Sequence, residues 1–230
     1  MTGPLPGAAA TASPGGFRAR VRHLGEPVAL FFGRLGLSPN ALTVIGFLIT
    51  CAGAALAAAG LWLLAGIVVF LGGAFDLFDG ALARATGRTS RIGAFLDSIF
   101  DRWGESVVYI GIVIGCLTSG FQVGAGLAAV AMSEAFLVSY ARARAESLGL
   151  SAGRGMAAVG LAPREVRLVI LTLGLLISGL LGGVQAAATT QSNGASALAV
   201  ALAAIAILAT ITVIQRIIHV TKQAATTDGK

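Results

Sequence analysis

The sequence predicts an all-α integral membrane protein, a bundle of six transmembrane helices preceded by an N-terminal interfacial amphipathic helix. Three observations support this fold class. The 230 residues are 56% hydrophobic and only 11% charged, with a mean hydropathy of +0.88. They include 32 glycines, and small residues allow membrane helices to pack closely. Six apolar runs, each near the roughly 20 residues that cross a bilayer, alternate with polar or glycine-containing breaks.

The N-terminal region precedes the first apolar run. Residues 1–15 are rich in Gly, Ala and Pro and are predicted to be disordered. Residues 17–36 combine four arginines with apolar side chains, which is too charged to span a bilayer but suits a helix lying in the interface. Pro27 is predicted to kink or break that helix. We therefore predict one membrane domain over residues 16–222, followed by a flexible tail at 223–230.

The spanning segments follow from the apolar runs and the breaks between them. Ser38 is predicted to cap the first helix, with Pro39 at its first position, because a serine hydroxyl accepts a free N–H there and proline tolerates that place. Polar or glycine-containing segments separate the later helices. The predicted spans are Asn40–Gly60, Leu61–Arg84, Ile92–Thr118, Val123–Leu148, Arg164–Gly183 and Ala195–Val220.

Basic residues orient this predicted bundle. Six spans place both termini on one side, and the loops and ends on that side carry the arginines and lysines. The opposite turns, near Gly60, Ser119 and residues 185–194, carry neither. The positive-inside rule makes the basic side cytoplasmic, so we expect a multi-pass protein of the cell membrane with both termini in the cytoplasm. The net charge of +6 is attributed to topology and anionic membrane lipids, not to nucleic acid.

The candidate site lies on the second and third spans. Asp76 and Asp79 are three residues apart and Asp97 and Asp101 are four apart, so each pair shares one helix face. A polar bend at 87–90 brings the two faces together. Clustered carboxylates repel unless a cation lies between them, and Mg²⁺ is held by carboxylates together with substrate phosphates. Ionisable residues inside membrane segments are costly, which favours a functional interpretation over surface charges or helix caps.

Small residues and one base accompany the acids. Gly80, Ala83 and Arg84 fall on the face of the first pair, and Gly93 on the face of the second. Glycine and alanine leave room for a ligand near the backbone, and an arginine can bind a phosphate through two hydrogen bonds. The predicted chemistry is metal-assisted displacement at phosphorus.

The same stretch resembles the signature of the CDP-alcohol phosphatidyltransferases. That signature reads D-x-x-D-G-x-x-A-R, eight residues, then G-x-x-x-D-x-x-x-D, and every fixed position is matched here. The resemblance implies a six-helix membrane fold and transfer of a phosphatidyl group from CDP-diacylglycerol to an alcohol, with release of CMP. It also implies that the partners are CDP-diacylglycerol, an alcohol acceptor and membrane lipids, and that the enzyme is a homodimer.

Residue roles follow from this resemblance. The four aspartates are expected to hold one or two divalent ions, Mg²⁺ or Mn²⁺, with two the favoured number. Asp101 is also expected to act as the general base that removes the proton of the acceptor hydroxyl. Expected nucleotide contacts are Gly80, Ala83, Arg84 and Gly93, together with Asn40 and Thr43 of the segment P-N-A-L-T.

A narrower resemblance concerns the acceptor. The segment S-Y-A-R-A-R-A-E is similar to S-Y-x-K-A-R-A-E of actinobacterial phosphatidylinositol-phosphate synthases, and V-I-Q-R is similar to their closing V-Q-R. Before the fifth span this chain has A-P-R-E-V-R-L where those enzymes have an E-R-x-E-R-L run. Their basic residues in these regions bind the phosphate of inositol 1-phosphate. The resemblance implies that Arg142, Arg167 and Arg216 bind the phosphate of a phosphorylated polyol acceptor.

Several alternatives stay open at this point. Glycerol 3-phosphate is the second acceptor, as in phosphatidylglycerophosphate synthases, and a neutral polyol is a third. A membrane prenyltransferase also binds diphosphates through aspartates, but on two motifs far apart in sequence. An intramembrane aspartyl protease needs two lone aspartates, and a cation transporter would place acids at mid-membrane. Arg154 and Arg164 are explained by ordinary positive-inside charge and receive no role.

Overall fold

The structure is a computed structural model that describes residue 27 and residues 29–150, 159–185 and 192–228, with side chains described as far as residue 225. Within these ranges the chain is helical and contains no strand. A short helix, α1, covers residues 29–34. The longer helices are α2 (Pro39–Ala58), α3 (Trp62–Ala85), α4 (Arg91–Thr118), α5 (Gln122–Ser147), α6 (Arg164–Leu180) and α7 (Asn193–Asp228).

Four of these helices are long and apolar enough to cross a membrane: α2, α3, α5 and α7. The other two fall short for identifiable reasons. The sequence of α4 includes Asp97, Asp101 and Glu105, which interrupt its apolar composition. The helix α6 has only 17 residues and begins with Arg164. Charge in α4 and short length in α6 therefore distinguish these two helices from the four candidate spans.

The long helices form a closed ring. Their main contacts run from α2 to α3, on to α6, α7, α5 and α4, and back to α2. Small and apolar side chains fill the centre, including Ala57, Ala65, Ile112, Leu175 and Leu198, all fully or almost fully buried. Because α3, α4 and α6 all contribute to this ring, the acidic residues of α3 and α4 come within reach of α6.

Helix starts around the site are set by local sequence. Ser38 caps α2, its hydroxyl accepting a 3.2 Å hydrogen bond from the N–H of Ala41, and Pro39 is the first residue, which confirms that prediction. Ser90 caps α4 in the same way, accepting from the Gly93 N–H at 2.9 Å. Between α3 and α4 the chain turns through Gly87 at φ +66°, a conformation that favours glycine.

The predicted interfacial helix over 17–36 is described only from residue 27 onward, without residue 28; its arginines 18, 20 and 22 lie outside the described residues. Within the described part, α1 packs through Phe32, whose ring lies 5.5 Å from that of Phe75 and 6.3 Å from that of Phe78. Phe31 and Leu35 remain exposed. The predicted disordered segment 1–15 also lies outside the described residues.

The helix bounds agree closely with those predicted, with one notable difference at the C-terminal end. The helix α7 continues past the predicted end at Val220 to Asp228, so much of the predicted tail at 223–230 is helical. The run T-K-Q-A-A-T-T after Val220 contains no Gly or Pro to end the helix. Parts of two predicted loops, residues 151–158 and 186–191, lie outside the described residues.

Two glycines fix how closely α2 and α4 approach. A Cβ added at Gly111 would lie 2.2 Å from the carbonyl oxygen of Ala54, and one added at Gly115 would lie 2.2 Å from that of Ala57. The obstacle in each case is backbone, which cannot rotate away. This small-xxx-small spacing is how membrane helices bring their backbones into contact.

Substituting Gly111 should therefore destabilise the fold. We expect Gly111→Ala to lower the melting temperature of the purified protein in detergent, because overpacking of this kind costs about 1–3 kcal/mol. Gly126→Ala is the matched control, since an added Cβ there meets nothing within 4 Å, and it should leave the melting temperature unchanged or raise it. Equal melting temperatures for the two variants would contradict the close α2–α4 contact.

Candidate functional site

Three of the four aspartates converge where α3 and α4 face each other. One carboxylate oxygen from each of Asp76, Asp97 and Asp101 lies within 4.8 Å of the others, and all three side chains are partly exposed. Oxygen ligands of one divalent ion lie about 2.0–2.6 Å from it, so they are separated by at most about 4–5 Å. The donors and their spacing therefore fit a hard divalent cation such as Mg²⁺ or Mn²⁺.

The fourth aspartate has a different environment. Asp79 is only 4% exposed, and its Oδ2 accepts a 2.5 Å hydrogen bond from the hydroxyl of Thr43 on α2. Its carboxylate is not among the three that converge. Asp79, itself a predicted metal ligand, is thus hydrogen-bonded to Thr43, one of the predicted nucleotide contacts.

A cavity of about 180 Å³ lies beside the aspartates, between the start of α2, the end of α3 and the start of α4. Asp79 and Asp97 form part of its wall. The bend after α3 adds Arg88, which the sequence analysis did not single out. The wall also contains every residue predicted to contact the nucleotide, namely Asn40, Thr43, Gly80, Ala83, Arg84 and Gly93.

Two glycines keep the walls of this cavity close together. A Cβ at Gly93 would lie 3.3 Å from Oδ1 of Asn40, and a Cβ at Gly80 would lie 3.1 Å from Nη1 of Arg84. Larger residues would push these polar side chains out of place. The glycines therefore serve the arrangement of Asn40 and Arg84 around the cavity.

Arg164, to which the sequence analysis gave no role, reaches the acids. Its Nη1 lies 2.6 Å from Oδ2 of Asp76 and 2.9 Å from Oδ1 of Asp101. The ion pairs join the start of α6 to the second half of α3 and the first half of α4. Attributing Arg164 to surface charge alone was therefore incomplete, because its side chain is a direct neighbour of two predicted metal ligands.

A second arginine of α6 pairs with an acid that the sequence analysis also missed. Arg167 is 1% exposed and binds Glu105 at both ends of the carboxylate, from Nε to Oε1 at 2.8 Å and from Nη2 to Oε2 at 2.7 Å. Its Nη1 donates to the carbonyl of Ala162 at 2.9 Å. Glu105 follows Asp101 by four residues on the same helix face, and that spacing was the available signal.

The three arginines predicted for the acceptor differ in their surroundings. Arg216 is 3% exposed, and its guanidinium donates to two backbone carbonyls, those of Val138 and Val159. It lies within electrostatic range of Arg142 and Arg167. Arg142 is exposed and forms an ion pair with Glu146 at 2.9 Å. The fold thus gathers these basic residues in one region, with Arg167 already engaged by its carboxylate.

The sequence profile described as CDP-alcohol phosphatidyltransferase matches residues 36–227. This range covers the aspartates, the cavity beside them and the arginines of α6 and α7. The chain belongs to the CDP-alcohol phosphatidyltransferase family.

The relatives of this phosphatidyltransferase include inositol phosphate synthases from bacteria and archaea. The chain is 34% identical over 218 residues to the phosphatidylinositol phosphate synthase of Streptomyces avermitilis, a match that covers 92% of this chain and 84% of the relative. It is 37% identical over 171 residues to the archaetidylinositol phosphate synthase of Pyrococcus horikoshii, covering 73% and 84%. The resemblance to the family, and to its actinobacterial phosphatidylinositol phosphate synthases, is confirmed.

Solved structures of the phosphatidylinositol phosphate synthase of Mycobacterium tuberculosis share the fold. The structure with CDP-DAG bound superposes with a TM-score of 0.72 at 28% identity, covering 86% of this chain and 94% of that one. The structure in complex with manganese and citrate gives a TM-score of 0.71 at 29% identity, covering 85% and 88%. The likeness therefore extends over most of both chains.

The contact between Thr43 and Asp79 can be tested in this phosphatidyltransferase by a pair of substitutions. Thr43→Val keeps the shape but removes the hydroxyl, which leaves a buried carboxylate oxygen without its donor at a cost of about 1–3 kcal/mol. We expect a lower melting temperature and weaker CMP binding by calorimetry. Thr43→Ser retains the hydroxyl and should remain close to wild type. Identical behaviour of these two variants would show that the hydrogen bond does not support the cavity.

Proposed function

We propose that this protein transfers the phosphatidyl group of CDP-diacylglycerol to a hydroxyl of a phosphorylated polyol, with inositol 1-phosphate the leading acceptor, and releases CMP. One observation carries the proposal. The converging Asp76, Asp97 and Asp101 adjoin a cavity whose wall holds every predicted nucleotide contact, and Asp97 belongs to both. The cavity thus offers a place for a nucleotide whose phosphates would meet the acids.

A divalent cation, Mg²⁺ or Mn²⁺, is the cofactor that this donor set fits. Asp76, Asp97 and Asp101 would hold it, with Asp79 the additional ligand where two ions bind. Manganese in the related M. tuberculosis structure supports this assignment. When bound, the cation supplies positive charge that offsets the diphosphate and the charge developing on the leaving CMP.

The chain's own residues would bind the nucleotide and remove the proton of the acceptor. Arg84 and Arg88 lie on the cavity wall, where their guanidinium groups can bind the phosphates of the nucleotide. Asp101 removes the proton of the acceptor hydroxyl as its oxygen forms a bond to the β-phosphorus. The bond between that phosphorus and the oxygen of the CMP phosphate breaks, and CMP leaves with the electron pair. The glycines 80 and 93 allow the close approach that this requires.

The acceptor's phosphate is assigned to the basic region formed by Arg142, Arg167 and Arg216. Arg216 gives the strongest support, because its charge is buried and its guanidinium donates to the neutral carbonyls of Val138 and Val159. Among the residues the structure describes, no carboxylate forms a salt bridge with it. A buried cation in this state favours an anionic ligand, and a phosphate monoester meets that requirement where a neutral polyol does not.

The proposed setting is the cell membrane. The helices α4 and α6 would complete a six-span bundle with α2, α3, α5 and α7, their charges facing the interior of the ring. Residues 16–222 would form the membrane domain, with the first part of that range lying in the interface. The positive-inside distribution supports cytoplasmic termini and a site open to the cytoplasm. A homodimer is proposed from the family resemblance.

The direct test is CMP release by the purified protein with CDP-diacylglycerol and Mg²⁺ or Mn²⁺. We expect release with inositol 1-phosphate and not with inositol. Asp101→Asn should reduce turnover by at least about two orders of magnitude, as expected for loss of a general base, while CMP binding persists. Release with glycerol 3-phosphate alone would keep the aspartate site and discard inositol phosphate as acceptor. Release by the Asp101→Asn variant at the wild-type rate would remove Asp101 as the base.

The assignment of Arg216 has its own test. Arg216→Gln should raise the KM for the phosphorylated acceptor by about tenfold or more, since charged hydrogen bonds are worth about 1.5–3 kcal/mol, and should leave the KM for CDP-diacylglycerol unchanged. Lys222→Gln is the control, because it removes the same charge from an exposed position on α7. Equal effects of the two variants on the acceptor KM would show a diffuse electrostatic effect instead of a binding site.

A further inference from the structure

The first turn of α6 carries two arginines held in different ways. Arg167 is 1% exposed and uses three of its N–H groups on Glu105 and Ala162, so its guanidinium is fixed. The side chain of Arg164 is 27% exposed, and its ion pairs with the acids all come from Nη1. Its Nε is buried and has no hydrogen-bond partner among the described residues. Arg167 therefore fixes the start of α6 against Glu105 of α4, and Arg164 projects from the same helical turn.

The position of Arg164 coincides with the place that a cation would take. A single nitrogen lies 2.6 Å from Oδ2 of Asp76 and 2.9 Å from Oδ1 of Asp101. A magnesium ion binds carboxylate oxygens at about 2.0–2.1 Å, so an ion using these two oxygens would need the space of that nitrogen. The positive charges of the ion and the guanidinium would also repel each other.

The Arg164 side chain is partly exposed and also borders a small internal space. A cavity of about 30 Å³ lies between α2, α3, α4 and α6, and its lining includes Arg164 but not Arg167. Asp76 and Asp101 also line this cavity, so the space adjoins both ion pairs of Arg164. The unused Nε and the remaining N–H groups of Arg164 are available to another acceptor, such as a phosphate oxygen, once the carboxylates are released.

We propose that Arg164 is a positioning residue for the aspartates. Its guanidinium holds Asp76 and Asp101 at ligand spacing before the cation binds, and then gives way to the cation. This inference rests on the proposed function, which takes these acids as ligands of a divalent ion. The aspartates would then bind the free ion more weakly than they would without Arg164, because each binding event must break two ion pairs.

Metal binding can be measured without turnover. Titrating the purified full-length protein with Mn²⁺ and following free Mn²⁺ by electron paramagnetic resonance gives its affinity in the absence of substrate. We expect Arg164→Gln to bind Mn²⁺ about tenfold more tightly than wild type, a change of about 1.4 kcal/mol. The same variant should have a lower melting temperature without metal, because the repelling acids lose their internal cation, and Mn²⁺ should restore it.

Two further variants separate this mechanism from general effects of charge and folding. Arg91→Gln removes one positive charge from an exposed position at the start of α4 and should bind Mn²⁺ as wild type does. Arg164→Lys keeps the charge but lacks the planar guanidinium, and should give an affinity between those of wild type and Arg164→Gln. This variant provides the same comparison where Arg164→Gln does not fold without metal.

Each outcome bears on the inference. Mn²⁺ affinity unchanged or weakened in both Arg164 variants would overturn it while leaving the proposed function intact. Equal tightening in Arg91→Gln would overturn it as well, since the effect would then be long-range charge. Failure of wild type to bind Mn²⁺ at all, even with CMP present, would remove the inference together with the proposed metal site.

Discussion

Charge compensation inside an apolar bundle is the constraint on which the rest of this structure depends. The helices α3 and α4 place acidic side chains inside the ring. The first turn of α6 places Arg164 and Arg167 opposite them, where they form ion pairs. An uncompensated buried charge costs several kcal/mol, so α6 must start where its arginines meet Asp76, Asp101 and Glu105. The place of α6 in the ring is therefore set by charge at one end, while apolar packing completes the contact.

The same ring has a tightly packed region and an open region. Along the later part of α4, Gly111 and Gly115 bring its backbone against that of α2 and leave no space between them. At the start of α4, the cavity beside Asp79 and Asp97 lies between the two helices and the end of α3. A close crossing in one place and a cavity in the other would let these helices hold the proposed nucleotide site without a separate domain. The acids are thus positioned by helices, which define side-chain geometry better than loops do.

Sequence patterns predicted the parts of the fold and site that depend on local spacing. Apolar runs and breaks gave the helix bounds, and Ser38 was correctly predicted as a cap because capping involves residues three apart. The predicted nucleotide contacts come from a motif on the α3–α4 hairpin and from a short segment of α2, and all of them line one cavity. Contacts between distant segments were not predictable in this way. Arg164 lies 88 residues from Asp76, and Arg167 lies 62 residues from Glu105. An arginine at a helix end has the same local sequence pattern whether it binds lipid head groups or an acid.

The three arginines assigned to the acceptor are not equivalent, and the difference lies in their partners. A guanidinium paired with a carboxylate has its charge balanced, so Arg167 contributes little net attraction while Glu105 holds it. Arg142 is balanced by Glu146 and screened by its exposure. Arg216 donates to two backbone carbonyls, which satisfy its hydrogen bonds but leave its charge in place. Under the proposed function, the attraction for an anionic acceptor would therefore centre on Arg216 of α7, because its buried charge is the least balanced of the three.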